Sequence, residues 1–285
     1  MLNPPSLYQQ LWAIILSPRK LCPESDGIKL VSCLLSWHLP SVFFVKTKVA
    51  GQSLPLLVFW KMIFFAKAIL FDMDGVLMDS TPSVGRVWRS WASMHGLDPE
   101  RVASLAHGHR SIETIRAVAP KLDAKKENLV VERMEIDDKE GVTALPGAAE
   151  LLARLPPDRF AIVTSATRPL AVARLGYAGI PVPRYMITAN DVLHGKPSPE
   201  PFLKGAAVLG FAPADCLVFE DSPAGIASAR SAGMNAIALQ TTYPADRLQA
   251  ANAIITSLAD VKTTLRDGDI ALELSPFPIR RDAAG

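Results

Sequence analysis

Six short apolar runs, of four or five residues each, constrain this chain more than any other feature. They are "AILF" (68–71), "FAIVT" (160–164), "YMIT" (185–188), "CLVFE" (216–220), "NAIAL" (235–239) and "AIIT" (253–256). Each is too short for a helix and too apolar for an exposed strand. Between them lie helix-patterned segments: "GAAELLARL", "PLAVARLGYAG", "PEPFLKGAAVLG" and "AGIASARSAG". Buried strands alternating with helices imply an α/β fold, a parallel sheet with helices on both faces. One interval breaks the alternation. Residues 81–145 carry no buried strand and read as helices, in "SVGRVWRSWASMHG", "SIETIRAVAP" and "KKENLVVERMEIDDKEGV". They are expected to form an inserted α-helical cap over the sheet, with Pro146 and Gly147 at the return point. The core then comprises 62–80 and 146–265, and 266–285 is a tail.

The first 61 residues differ in composition, being rich in Leu, Phe, Trp and Pro and poor in acids. "LVSCLLSWHLPSVFFV" is apolar but broken by His38 and Pro40. "LPLLVFWKMIFFAKAILF" is interrupted by Lys61 and Lys67, which argue against a membrane span. Met62 reads as the natural start, with 1–61 a mis-called or poorly ordered extension. The net charge of the whole chain is only +2, with no basic stripe, so no nucleic-acid partner is expected. Cys22, Cys33 and Cys216 are far apart and form no CxxC. That excludes a disulfide framework or structural zinc site and fits a reducing, cytoplasmic setting.

In a parallel sheet, ligands sit beyond the carboxyl ends of the strands. Here those ends carry complementary polar groups. The first run ends in Asp72 and Asp74, the second in Ser165, and the fourth in Glu220, Asp221 and Ser222, while Lys196 follows the third. Carboxylates so close together repel, and need a cation, a shared proton or an unusual substrate. The acids suit Mg²⁺, a hard ion that prefers oxygen. Ser165 and Lys196 suit phosphate oxygens. A remaining carboxylate is free to attack phosphorus.

The combination "DMDGVLMDS", "VTSAT", "GKPSPEPF" and "EDSPAGI", in that order, resembles the haloacid dehalogenase superfamily, in its branch with a Rossmann-like core and an α-helical cap. The resemblance runs from about Lys67 to Val261. With the cap stretch "AHGHRSIETIR", it is similar to small sugar-phosphate and glycerol-3-phosphate phosphatases. It implies that Asp72 is a nucleophile forming an aspartyl-phosphate and Asp74 the general acid and base. Ser165 and the Ala166 amide would bind the phosphoryl group, and Lys196 would neutralise it. Mg²⁺ would lie on Asp72, the Asp74 carbonyl, Asp221 and Glu220. Arg110 and His109 fall where the family places specificity residues. The implied partner is a small phosphorylated metabolite, with no membrane, and the implied assembly a monomer or weak dimer.

Blander readings stand beside these. Asp72 and Asp74 alone fit a solvated turn, and Lys196 alone a surface lysine. Ser165 alone fits a helix cap, and Arg110 a solvated loop. Trp88 and Trp91 fit a cap core better than a sugar platform. Dehalogenase and phosphonatase relatives lack an acid at the position of Asp74, which counts against both. A β-phosphoglucomutase-like phosphomutase is the alternative, hinted at by Val76 and opposed by the absence of His in "STPSVGRVW".

Overall fold

The computed structural model describes residues 31–32, 43–44, 62–106 and 108–274. Val31–Ser32 and Phe43–Phe44 pair antiparallel, in a unit distinct from the one holding residues 60–285. Cys22, Cys33, most of the 1–61 extension and the tail beyond 274 lie outside the described residues. Among those described, no helix is long and apolar enough to cross a membrane.

Each of the six apolar runs forms a strand of one sheet. From edge to edge the order is Ala253–Ile255, Asn235–Leu239, Cys216–Glu220, Ala68–Phe71, Phe160–Val163 and Met186–Ile187. Every pairing is parallel. Side chains alternate across a strand, so a run apolar at every position must be covered on both faces. Accordingly Ile69 and Phe71 join one buried cluster, and Ala68 and Leu70 another. Ala68–Phe71 is flanked on both sides, so its carboxyl end opens at the centre of the sheet.

The cap contains helices Thr81–Met94, Pro99–Ala106, Ser111–Val118 and Ala124–Asp137. It has its own apolar cluster, which includes Trp88, Trp91, Ile115 and Val131. The Trp88 and Trp91 rings meet edge to face at 5.5 Å, so both belong to the cap core. The two linkers between cap and sheet pair with each other, Met78–Asp79 against Thr143–Ala144, which adds a short strand to an interval that reads as purely helical.

One expectation needs correction. The segment before the first run, Met62–Ala66, forms a separate strand that ends before Lys67 and lies outside the parallel sheet. It pairs antiparallel with Asp269–Leu274, which in turn pairs with Val261–Arg266. Part of the supposed tail, from 266 on, is therefore built into the fold. Ile270, Leu272 and Leu274 are buried. The hairpin turns at Asp267 and Gly268, whose φ angles of 51° and 88° match the two-residue turn favoured by the twist of paired strands.

Candidate active site

The chain leaves the central strand at Phe71 and turns sharply. The Asp72 N–H donates to the Phe219 carbonyl at 2.9 Å, keeping Asp72 against the neighbouring strand. Gly75 follows with φ +81°, and a methyl group there would collide with the Asp221 carboxylate. The close approach of the first and fourth strand ends thus requires glycine.

Asp72, Glu220 and Asp221 are all buried, and one carboxylate oxygen from each lies within 4.8 Å of the others. Lys196 is buried among them, and its Nζ donates to both Asp72 Oδ1 and Glu220 Oε1. Glu220 Oε2 accepts from the Asp221 N–H at 2.8 Å, the Ser222 N–H at 2.9 Å and Ser222 Oγ at 3.0 Å. Ser222 Oγ also accepts from the Gly225 N–H at 3.0 Å, capping helix Pro223–Ser231. Glu220 therefore ties Lys196 to the start of that helix with both oxygens. A methyl group at Gly225 would fall on the Glu220 carboxylate, which accounts for the glycine in "EDSPAGI".

These charges shift one another. Burial pushes the Asp72 carboxyl up to about 7, against the pull of Lys196 and with the added repulsion of Glu220. Burial, with Glu220 and Asp72 beside it, also raises Asp221 well above the carboxylate range. Burial works to lower the Lys196 ammonium, but Asp72 and Glu220 outweigh it and hold it above its usual value. Three acids around one ammonium leave an excess of negative charge in a buried space. The oxygen-only donor set and the raised Asp72 and Asp221 fit a hard divalent cation such as Mg²⁺.

Asp74 is not one of the three clustered carboxylates but lines the same cavity. Its Oδ1 accepts from Ser80 Oγ at 2.6 Å and from Arg174 Nη1 at 3.0 Å. A cavity of about 60 Å³ lies between cap and sheet. Asp72, Asp74, Lys196 and Asp221 line it from the core, with Ser165 and Ala166 beside them. Ser165 Oγ donates to the Gly108 carbonyl of the cap at 3.3 Å, and the Ala166 N–H donates to Thr164 Oγ1 at 3.1 Å.

Arg110 is not brought to the carboxylates. It lines a neighbouring cavity, and its guanidinium donates to the Leu193 carbonyl at 3.1 Å and the Ala189 carbonyl at 3.2 Å. These backbone acceptors draw it along the core surface; its cap neighbour His109 lines the first cavity, and Ser111 lines both. Asp79 caps its own turn, accepting from the Thr81 N–H at 2.9 Å. Sequence reasoning missed Arg174, Glu135 and Thr242, all of which line the cavity.

Comparison with known proteins agrees with this architecture. Residues 66–233 match the model of the haloacid dehalogenase-like hydrolases. The chain is 41% identical over 213 residues to hexitol phosphatase A of Escherichia coli, covering 73% of this chain and 99% of that protein. It is 38% identical over 195 residues to glycerol-1-phosphate phosphohydrolase 2 of Saccharomyces cerevisiae, covering 64% and 78%. A solved hydrolase from Pseudomonas syringae shares the fold with a TM-score of 0.61 at 24% identity, over 68% of this chain and 94% of that one.

Proposed function

The chain belongs to the haloacid dehalogenase-like hydrolases and is a phosphoric monoester hydrolase, and from that premise we propose that it cleaves phosphate esters of small sugars or polyols through an aspartyl-phosphate on Asp72. The observation that carries this reading is the buried set of Asp72, Lys196 and Asp221 facing Asp74 across one small cavity.

Asp72 uses a carboxylate oxygen to attack phosphorus. The bond from phosphorus to the ester oxygen breaks, and Asp74 gives that oxygen its proton. Asp74, now a carboxylate, takes a proton from water as the water attacks the same phosphorus. The Asp72–phosphorus bond breaks, and inorganic phosphate leaves. Lys196 and the Ser165 hydroxyl hold the equatorial oxygens. Arg174 and Ser80 keep the Asp74 carboxyl aimed into the cavity. Asp72, Asp221 and the Asp74 carbonyl would hold Mg²⁺, with Glu220 beside them. Its charge would offset the repulsion between a phosphate dianion and Asp72.

A phosphate-release assay over sugar, polyol and glycolyl phosphates, with Mg²⁺ and with chelator, tests the proposal. Release should require the cation, and Asp72→Asn should lower kcat at least ~10³-fold with folding intact. No release from any ester, or near-normal turnover by the variant, refutes it.

A further inference from the structure

Besides the Asp72 cluster, the cavity is lined by Glu135 and Trp88 from the cap and Arg174 from helix Arg168–Tyr177 of the core. The side chains of Arg174 and Glu135 are only 5% and 4% exposed. Arg174 Nη1 holds Asp74, while Nη2 forms an ion pair with Glu135 Oε1 at 3.3 Å, and Glu135 also accepts from the Trp88 side chain. Among the described residues, Arg174 Nε has no hydrogen-bond acceptor, and Nη2 has only the long contact with Glu135.

A buried ion pair that only fastened cap to core would be expected to satisfy its donors, because an unmet N–H in such a place is costly. One donor without an acceptor, and one with only a long contact, thus sit on a residue that lines the reaction cavity. The side chain nearest them is a carboxylate that can only accept. A hydroxyl both donates and accepts. Two hydroxyls on adjacent carbons would therefore complete the set, one donating to Glu135 and one accepting from Arg174.

We propose that Glu135 and Arg174 together bind the hydroxyl groups of the leaving alcohol, and so select phosphate esters of neutral polyhydroxy alcohols. This rests on the phosphatase reading above. Trp88, from the cap core, backs this wall and donates to Glu135. Because Arg174 also holds Asp74, seating the alcohol fixes the acid next to the ester oxygen it protonates. The same charges disfavour an acidic leaving group. Arg174 already lies between two carboxylates, and a third would add a negative charge to a wall whose formal charge is already negative. The leaving group is thereby read by hydrogen bonding and charge together, and a site built to hydrogen-bond a hydroxyl discriminates strongly against analogues without one.

The test uses the full chain with Mg²⁺ and four esters: glycerol 1-phosphate, a hexitol phosphate, 2-phosphoglycolate and p-nitrophenyl phosphate. For the unmodified protein, kcat/KM on either polyol ester should exceed that on 2-phosphoglycolate by at least ~10-fold. Glu135→Gln keeps the shape and removes the charge. It should lower the ratio of kcat/KM on polyol esters to that on p-nitrophenyl phosphate by at least ~10-fold, chiefly through KM. An unchanged ratio, with both substrates losing equally, would mean a structural role and overturn the inference. So would equal use of 2-phosphoglycolate by the unmodified protein, a result that stands even if the variant does not fold. Failure to hydrolyse p-nitrophenyl phosphate or any other ester would instead overturn the phosphatase reading itself.

Discussion

Glu220→Gln isolates what holds Lys196 in place. The carboxylate accepts with both oxygens, one from Lys196 and the other from two backbone amides and a hydroxyl. Glutamine has one acceptor oxygen, and its NH₂ only donates. If the NH₂ turned toward Asp221 and Ser222, two buried amides would lose their acceptor, at about 1–3 kcal/mol each. If it turned toward Lys196, one charge-assisted bond would be lost and a donor would face an ammonium. The second arrangement is the less costly, because Lys196 keeps Asp72 as a partner. Breaking a buried pair outright costs about 3–5 kcal/mol. The retained partner, and the relief of repulsion on Asp72 and Asp221, bring the expected loss to about 2 kcal/mol. Urea unfolding followed by circular dichroism, in chelator, reads this as a lower midpoint with an unchanged slope. Gly225→Ala attacks the same carboxylate from the other side, since its methyl group must displace it. If Glu220 is the clamp, the double variant should be little less stable than the worse single one. Full additivity, or a Glu220→Gln protein as stable as the original, would refute the reasoning.

Three further outcomes follow from particular contacts. Asp72 is raised from 3.8 to about 7 in the folded protein, so its protonated form favours folding below pH ~4 and that contribution is lost as pH rises through 7. In chelator, Asp72→Asn should therefore gain stability relative to the original protein as pH goes from 5 to 8, measured as a growing difference in unfolding midpoint; a constant or reversed difference counts against the raised carboxyl. Ending the chain at Arg266 removes a strand that pairs with both Met62–Ala66 and Val261–Arg266 and buries four apolar side chains. It should lower Tm by more than 5 °C, taking about 4–8 °C per kcal/mol in a small domain and less in a larger one; an unchanged Tm would make the hairpin incidental. A chain beginning at Met62 should fold and keep its kcat/KM, and loss of either would give residues 1–61 a role.

The parallel sheet was legible because its strands are buried on both faces. A run such as "AILF" or "CLVFE" has few other ways to hide every side chain, and the motif acids stand at the ends of such runs. The edge hairpin was legible in principle and missed. "RDGDIALEL" carries Asp-Gly followed by alternating apolar residues, but "KTTLR" before it lacks the buried stripe that marked the other strands. For Arg110 the sequence shows the element but not the reach: its guanidinium donates to the Ala189 and Leu193 carbonyls and lines a cavity beside the first.

Arg174 and Glu135 left no signal in the sequence. Arg174 sits in "PLAVARLGYAG", where a basic residue near the end of an amphipathic helix is what an exposed face and the helix dipole both favour. Glu135 sits in "ERMEIDD", where one more acid suggests only a solvated face. Neither helix, taken alone, would bury its charged residue. Docking the cap on the core buries both, and each makes the other tolerable there, as a desolvated charge requires. The motif residues are set by the turn chemistry of single strand ends and can be read locally. The residues that face the leaving alcohol come from two separate elements and acquire their burial, contacts and unmet donors only when the two meet. On the proposed reading, chemistry at phosphorus lies in short contiguous motifs, while selectivity for the alcohol lies with one pair across the cap–core boundary. Substitutions at Glu135 should accordingly redirect substrate choice, while those at Asp72 abolish turnover of every ester.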